Sequence, residues 1–354
     1  MTRSTDLGVA AAPGGGPSVP DDVPDQGPRV AELEAGQEFI GFYLARNPRL
    51  DPFRDPTKGR YMRFQLRDCT GAIQARIWEG AEDAAGVIKE GVPIKVAGVV
   101  ELYNGQPQVQ IVRYRAARTS EFDPSRLLAG TSRDEEAMWR AVMEAVQGVR
   151  DPHLAALLRR FFLDTDWVAR FIEMPAARLV HHAYRGGLLE HGYELLRLAE
   201  PLLDLYPEID RDLLVAGVLL HDIGKLEEYA FDYDISVTDA GKLIGHVVIS
   251  ERMVSRAIRS IEGFPQKREH ELLHLIISHH GRHEWGAPRR PKSLEAIALH
   301  HLDNLDAQVN RFNLLLEAAR LSGKSWTDYD RMLGRMLYAG DPNGLALEEN
   351  GYVE

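Results

Sequence analysis

LLVAGVLLHDIGKLEEY, Leu213–Tyr229, decides how the rest of this chain is read. It runs from Leu213 to Leu220 without a polar side chain, then delivers His221 and Asp222 side by side. An ionised carboxylate in a protein interior is costly unless it is paired or bound to a metal. The same arrangement recurs along the chain. His191 follows GGLLE, His246 follows LIG, His279-His280 follow LLHLIIS, and Asp303 follows AIALHHL. Five such placements between residues 191 and 303 point to one polynuclear metal site assembled from several helices.

The chain around this region is long enough for two cores: 354 residues, 44% hydrophobic and 27% charged. No apolar run reaches the roughly 18 residues that span a bilayer, so no membrane partner is expected. Residues 1–28 are rich in Gly, Pro and Asp without an apolar signal core, and read as a disordered leader. The single cysteine, Cys69, excludes an intrachain disulfide framework and a cysteine-based zinc site, and fits a reducing cytoplasm. Net charge is −11, which argues against a polyanionic partner. The excess is uneven: residues 30–118 hold 13 Lys/Arg against 11 Asp/Glu, whereas 119–354 hold 27 against 38. Part of the acidity is metal-competent carboxylate, so the charge weakens a nucleic-acid reading without removing it.

Two halves with different periods follow. In YMRFQLRDCTGAIQARIWEG, alternation predicts Met62, Phe64 and Leu66 inward, with Ile73, Ala75 and Ile77 inward beyond a turn at Asp68–Gly71. PIKVAGVVELY and QPQVQIVRYRAA pair across Asn104-Gly105, a strong hairpin signal. An earlier strand, QEFIGFYLARNP, leads into a polar loop from Asp51 to Gly59, and a helical segment is expected near Glu79–Glu90. Five short strands over residues 29–118 predict a small OB-type barrel. Residues 119–133 read as a linker. From 134 to 322 apolar residues recur at three- and four-residue intervals, predicting helices over 135–149, 151–175, 187–207, 211–225, 241–262, 266–280 and 293–320. Residues 323–354 form an acidic tail. The fold class is therefore α+β and multidomain, an OB-type barrel followed by an all-α bundle.

Imidazole and carboxylate donors without thiolate suit Mn, Fe, Co, Ni or Zn. His191, His221, Asp222 and Asp303 make one ligand set. Asp222 could bridge to a second ion held by His246, His279 and His280, a two-metal clamp suited to phosphoester hydrolysis. Lys225, one helical turn beyond Asp222, would share its face and neutralise a phosphate or orient water. Taken singly, His270, His274, His283 and His300 read as satisfied structural histidines. The joint set is much harder to explain that way.

HHAYRGGLLEH, LLHDIGK, KLIGH, ISHHGRHEWGAP and LHHLDNLDA, with WEGAEDA and NGQPQVQI in the barrel, resemble the YhaM-type 3′→5′ exoribonucleases of the HD-domain phosphohydrolase superfamily. The likeness covers about residues 30–320. It implies His191, His221, Asp222 and Asp303 as HD-motif ligands, His246, His279 and His280 as the added histidines of two-metal members, and Lys225 as the lysine after the pair. It implies two divalent ions, manganese favoured, and places His182, Arg185 and Gly186-Gly187 along a substrate path. Gly192 departs from the pattern, standing where a hydroxyl residue is expected.

OB barrels hold single strands on charged faces with aromatic stacking platforms. Tyr61, Arg63, Arg76, Trp78 and Tyr103 are the candidates here, with Arg67 and Tyr114 beside them. The expected protein is a cytoplasmic, metal-dependent 3′→5′ exonuclease on single-stranded RNA, with single-stranded DNA left open. A metal-bound hydroxide would release nucleoside 5′-monophosphates, with Asp222 and Lys225 as the catalytic pair. The alternative is an HD nucleotidase or cyclic-dinucleotide phosphodiesterase with a regulatory barrel; a third reading is a binding protein with a degenerate site. Homo-oligomerisation is left open.

Overall fold

The computed structural model describes residues 25–178, 182–231 and 233–341. Most of the expected leader and the end of the expected tail lie outside the described residues. Five strands close a barrel in the order β1-β2-β3-β5-β4: β1 Glu38–Pro52, β2 Arg60–Asp68, β3 Gly71–Ile77, β4 Pro93–Tyr103 and β5 Gln106–Ala116. A short helix, α1 Ala81–Val87, lies between β3 and β4. All pairings are antiparallel except β3 with β5. The period-2 pattern holds as read: Met62, Phe64, Leu66, Ile73, Ala75 and Ile77 are buried inside. Asn104 (φ 51°) and Gly105 (φ 76°) make the two-residue turn between β4 and β5, both in the left-handed region that such hairpins require.

The polar loop is shorter than the sequence suggested. β1 runs on to Pro52 because its register shifts between Arg46 and Arg49, and this bulge at Asn47-Pro48 lets the strand pass a residue that cannot donate to the ladder. Phe53 then packs against Tyr61 and Trp78 instead of pointing to solvent.

The second half is helical: α2 Glu135–Gly148, α3 Pro152–Phe162, α4 Thr165–Glu173, α5 Gly187–Leu205, α6 Arg211–Leu220, α7 Lys225–Glu228, α8 Asp239–Leu243, α9 His246–Ile258, α10 Gln266–Ser278 and α11 Leu294–Leu321. A hairpin of β6 Tyr229–Phe231 and β7 Ile235–Val237 follows α7. Side chains of Asp134, Asp151, Asp164, Asp210 and Ser293 cap helix N-termini, satisfying donors with no intrahelical partner. Three predicted helices are split, 241–262 among them, which breaks at Ile244-Gly245 (Gly245 φ 78°) between α8 and α9. Residues 151–175 break at Leu163-Asp164, where Asp164 starts α4 by accepting from the Trp167 amide. Residues 211–225 end at His221, which leaves the helix in a turn before α7.

The segment between the halves is not a free tether. Phe122, Leu127 and Leu128 are buried, and Phe122 meets Phe42 of β1 and Tyr233 of the β6–β7 hairpin at ring distances of 6.0 and 5.1 Å. Beside them Arg46 of the barrel pairs with Asp234 of the helical half. Residues 323–341 fold back along α11, held by Arg311–Asp330 and by Arg320 Nε donating to the Ala339 carbonyl (3.1 Å). Among the described residues no helix is long and apolar enough to cross a membrane.

Candidate metal centre and nucleic-acid face

Helix ends build the centre. His221 follows the last residue of α6, His279 follows the last residue of α10, and His246 is the first residue of α9; His191 and Asp303 project from inside α5 and α11. At a helix end the backbone turns away, so several side chains can converge without their helices colliding. Gly224 makes this possible. A Cβ there would lie 2.3 Å from the His246 carbonyl and 2.6 Å from the Ser250 amide, and its own amide donates to Ser250 Oγ (2.8 Å). The HD turn thus seats directly on the start of α9. Gly224→Ala is expected to cost about 1–3 kcal/mol, read as a lowered midpoint in chemical denaturation, and to displace His246.

Asp222, 4% exposed, is the hub. Its Oδ2 lies 3.3 Å from His221 Nε2 and 3.7 Å from His191 Nε2, while Oδ1 faces His246 Nε2 (3.5 Å) and His279 Nε2 (3.8 Å). Asp303 Oδ1 is 3.3 Å from His191 Nε2. Two groups of potential ligands result, His191/His221/Asp222 and His246/His279/His280. Three buried atoms in them, Asp222 Oδ1, His279 Nε2 and His280 Nδ1, have no hydrogen-bond partner. Buried polar atoms are seldom left so; a cation coordinated there accounts for Asp222 Oδ1 and His279 Nε2, while His280 turns its other ring nitrogen, Nε2, toward His246 (3.3 Å).

The electrostatics differ between the groups. Burial drives His279 far below the ordinary imidazole range, helped by His280 and His221; burial also lowers His280, with His246 adding to it. Both therefore stay neutral, the form that binds metal. Burial pulls His191 down too, but Asp303 and Asp306 outweigh it and lift the imidazole to about 10. An arriving cation must displace that proton, so ion uptake weakens as pH falls. Burial works against ionised Asp222, yet Lys225 and His221 hold it well below the carboxylate range. Lys225 Nζ donates to Asp222 Oδ2 at 2.5 Å. The contact expected from a continuous helix is present, but a turn and the start of α7 provide it.

Two carboxylates essential to this geometry escaped the sequence reading. Asp306 accepts from His191 Nδ1 (2.7 Å) and His182 Nε2 (2.9 Å); Glu228 accepts from His246 Nδ1 (2.9 Å) and from its backbone amide (3.1 Å). Each fixes which imidazole nitrogen faces the centre. Asp306 had a signal, its i,i+3 spacing from Asp303; Glu228 had none. His182 does not line a substrate path. It is wholly buried behind His191, bonded to Asp306 and to the Tyr184 hydroxyl (2.9 Å). Arg185 pairs with Glu135 on α2 (3.1 Å), and neither residue lines the cleft. Asp306→Asn is expected to weaken manganese binding by roughly 10- to 100-fold in calorimetric titration.

A cleft of about 250 Å³ opens over the centre, reaching Asp222, Lys225, His246, His280 and Asp303, with Tyr229, Trp285 and His300 on its walls. On the barrel, Tyr61 and Trp78 pack at 5.0 Å, and the Arg76 guanidinium lies 4.9 Å from Tyr103, 5.3 Å from Trp78 and 6.0 Å from Tyr61. These four form one patch with Phe53. Arg63 instead pairs with Asp51 (2.8 Å), which diverts its charge.

A buried His/Asp centre on helix ends, joined to a five-stranded barrel, defines an HD-type metal phosphohydrolase with an OB module. Comparison with known proteins agrees: residues 188–308 match the HD domain, and residues 54–116 match the OB-fold nucleic acid binding domain. HD domains bind divalent metals. The chain is 34% identical over 267 residues to the 3′-5′ exoribonuclease YhaM of Geobacillus sp. (strain WCH70), covering 73% of this chain and 80% of that protein. With YhaM of Bacillus subtilis (strain 168) identity is 33%, covering 73% and 82%. With that of Bacillus velezensis it is 33% over 296 residues, covering 81% and 90%. This chain belongs to the YhaM family of 3′-5′ exoribonucleases.

Proposed function

We propose that this chain is a divalent-metal-dependent 3′→5′ exoribonuclease that trims single-stranded RNA to nucleoside 5′-monophosphates. The observation that carries this reading is Asp222, whose two oxygens face two separate histidine groups. That is the arrangement a carboxylate needs to bridge two ions. His191, His221, Asp222 and Asp303 would hold one; Asp222, His246, His279 and His280 the other. The nitrogen and oxygen donors without thiolate suit a borderline or harder divalent ion, and the family resemblance points to manganese among them. Ions so held supply Lewis acidity toward a phosphodiester and its attacking water.

The chain's own groups do the rest. Asp306 and Glu228 fix the imidazoles before substrate arrives. Lys225, at the cleft wall, keeps Asp222 ionised and adds a positive charge facing the phosphate. Burial of the centre excludes bulk water, which strengthens each of these interactions. We assign residues 29–118 to strand holding, through Tyr61, Arg76, Trp78 and Tyr103, and residues 134–322 to hydrolysis. The lone cysteine fits residence in a reducing cytoplasm.

The test is a 5′-labelled single-stranded RNA incubated with the protein, with manganese or with EDTA, and resolved at single-nucleotide resolution. A manganese-dependent ladder shortening from the 3′ end is expected. Intact RNA alongside hydrolysis of a small phosphodiester would overturn the proposal.

A further inference from the structure

Beyond the metal centre, the cleft carries an aromatic side chain that the hydrolytic chemistry does not use. Trp285 lies on its wall and keeps 46% of its surface exposed, while its neighbours His279 and His280 are largely buried. The indole, a few residues beyond a set of metal ligands, presents a flat apolar surface to the cleft. Ala176, Ala177 and Ala307 also line that cleft, leaving width for a flat ring.

The turn that carries the indole is tightly fixed. Trp285 ends this short 3-10 turn, His283–Trp285, between Gly281 (φ 75°) and Gly286 (φ 91°). The Arg282 carbonyl accepts from the amides of both Trp285 and Ala287 (3.1 Å each), and the His283 ring bonds the Ala287 carbonyl (2.9 Å). The Arg282 guanidinium lies over the indole at 4.7 Å. His300 stands 6.1 Å away, its ring bonded to the His279 carbonyl (2.7 Å). A Cβ on Gly281 would fall 2.2 Å from the His300 ring, so that close approach locks the turn to α11. A platform fixed before binding loses little entropy when a ring stacks on it.

We infer that Trp285 is the stacking platform for the base of the 3′-terminal nucleotide, setting the end of the strand over the metal centre. This rests on the exoribonuclease reading above. Stacking accepts any base through its π-face, so the platform registers the strand end without reading sequence. A terminal stack is worth about 1–3 kcal/mol, or roughly 5- to 150-fold in kcat/KM.

A double-mutant cycle tests it: wild type and Trp285→Ala, each with an RNA of normal 3′ end and one whose terminal nucleotide lacks its base. Wild type should lose rate on the abasic end by the same factor that Trp285→Ala loses on the normal end, and combining the two changes should cost nothing more. Trp285→Phe should recover most of the loss, and bound manganese should be the same in all variants. Independent, multiplying losses would overturn the assignment of Trp285 while leaving the exonuclease standing. A wild type inert on both RNAs would overturn the exonuclease and this inference together.

Discussion

Asp222→Asn is expected to lower RNA hydrolysis by about a thousandfold or more while leaving RNA binding within about twofold of wild type. The substitution keeps the shape and removes the charge. Both oxygens face ligand groups, so one change weakens the hold on two cations and also strips buried Lys225 of its partner. Losing electrostatic stabilisation of the transition state costs about 2.7–4 kcal/mol per group, and each 1.36 kcal/mol is tenfold in rate. Strand affinity should persist, because the aromatic patch on the barrel is a separate surface. Single-turnover hydrolysis with manganese and fluorescence anisotropy in EDTA measure the two properties separately. Wild-type turnover in the variant would remove Asp222 from the centre of the mechanism.

The second large effect belongs to the barrel. Tyr61→Ala with Trp78→Ala removes two stacking rings from the edge of the β2–β3 pair without entering the core, which Met62, Phe64 and Ile77 fill on the opposite face. At about 1–3 kcal/mol per stacked base, affinity for a long single strand should fall at least thirtyfold. The slope of affinity against salt should not change, since no phosphate contact is lost. Cleavage of a dinucleotide, which has no strand beyond the scissile bond for the barrel to hold, should be unaltered. Unchanged affinity for the long strand would mean that these rings only cover the barrel.

The extended and helical halves were legible because burial imposes a period. Phe64 and Ala75 must face inward wherever a half-buried sheet forms, and Leu213–Leu220 must be interior wherever it folds. The histidines and Asp222 could be read for a related reason, since polar groups ending apolar runs advertise a buried polar site. Periodicity could not say where a helix stops. Residues 211–225 look continuous, yet the helix ends at His221, since Gly224 must sit against α9 for His246 to reach the centre.

An alternating half and a helical half could be read from residue order alone, as could the placing of His191, His221, Asp222, His246, His279, His280 and Asp303 beside apolar runs. Packing of the helices is what turns one Asp222 oxygen to each group, lets Asp306 and Glu228 orient the rings, sets His182 behind His191, and brings Trp285 to the cleft wall. Local pattern reports which residues leave water. Orientation at the centre depends on contacts between residues as far apart as His191 and Asp306, and those distances exist only once the helices have packed.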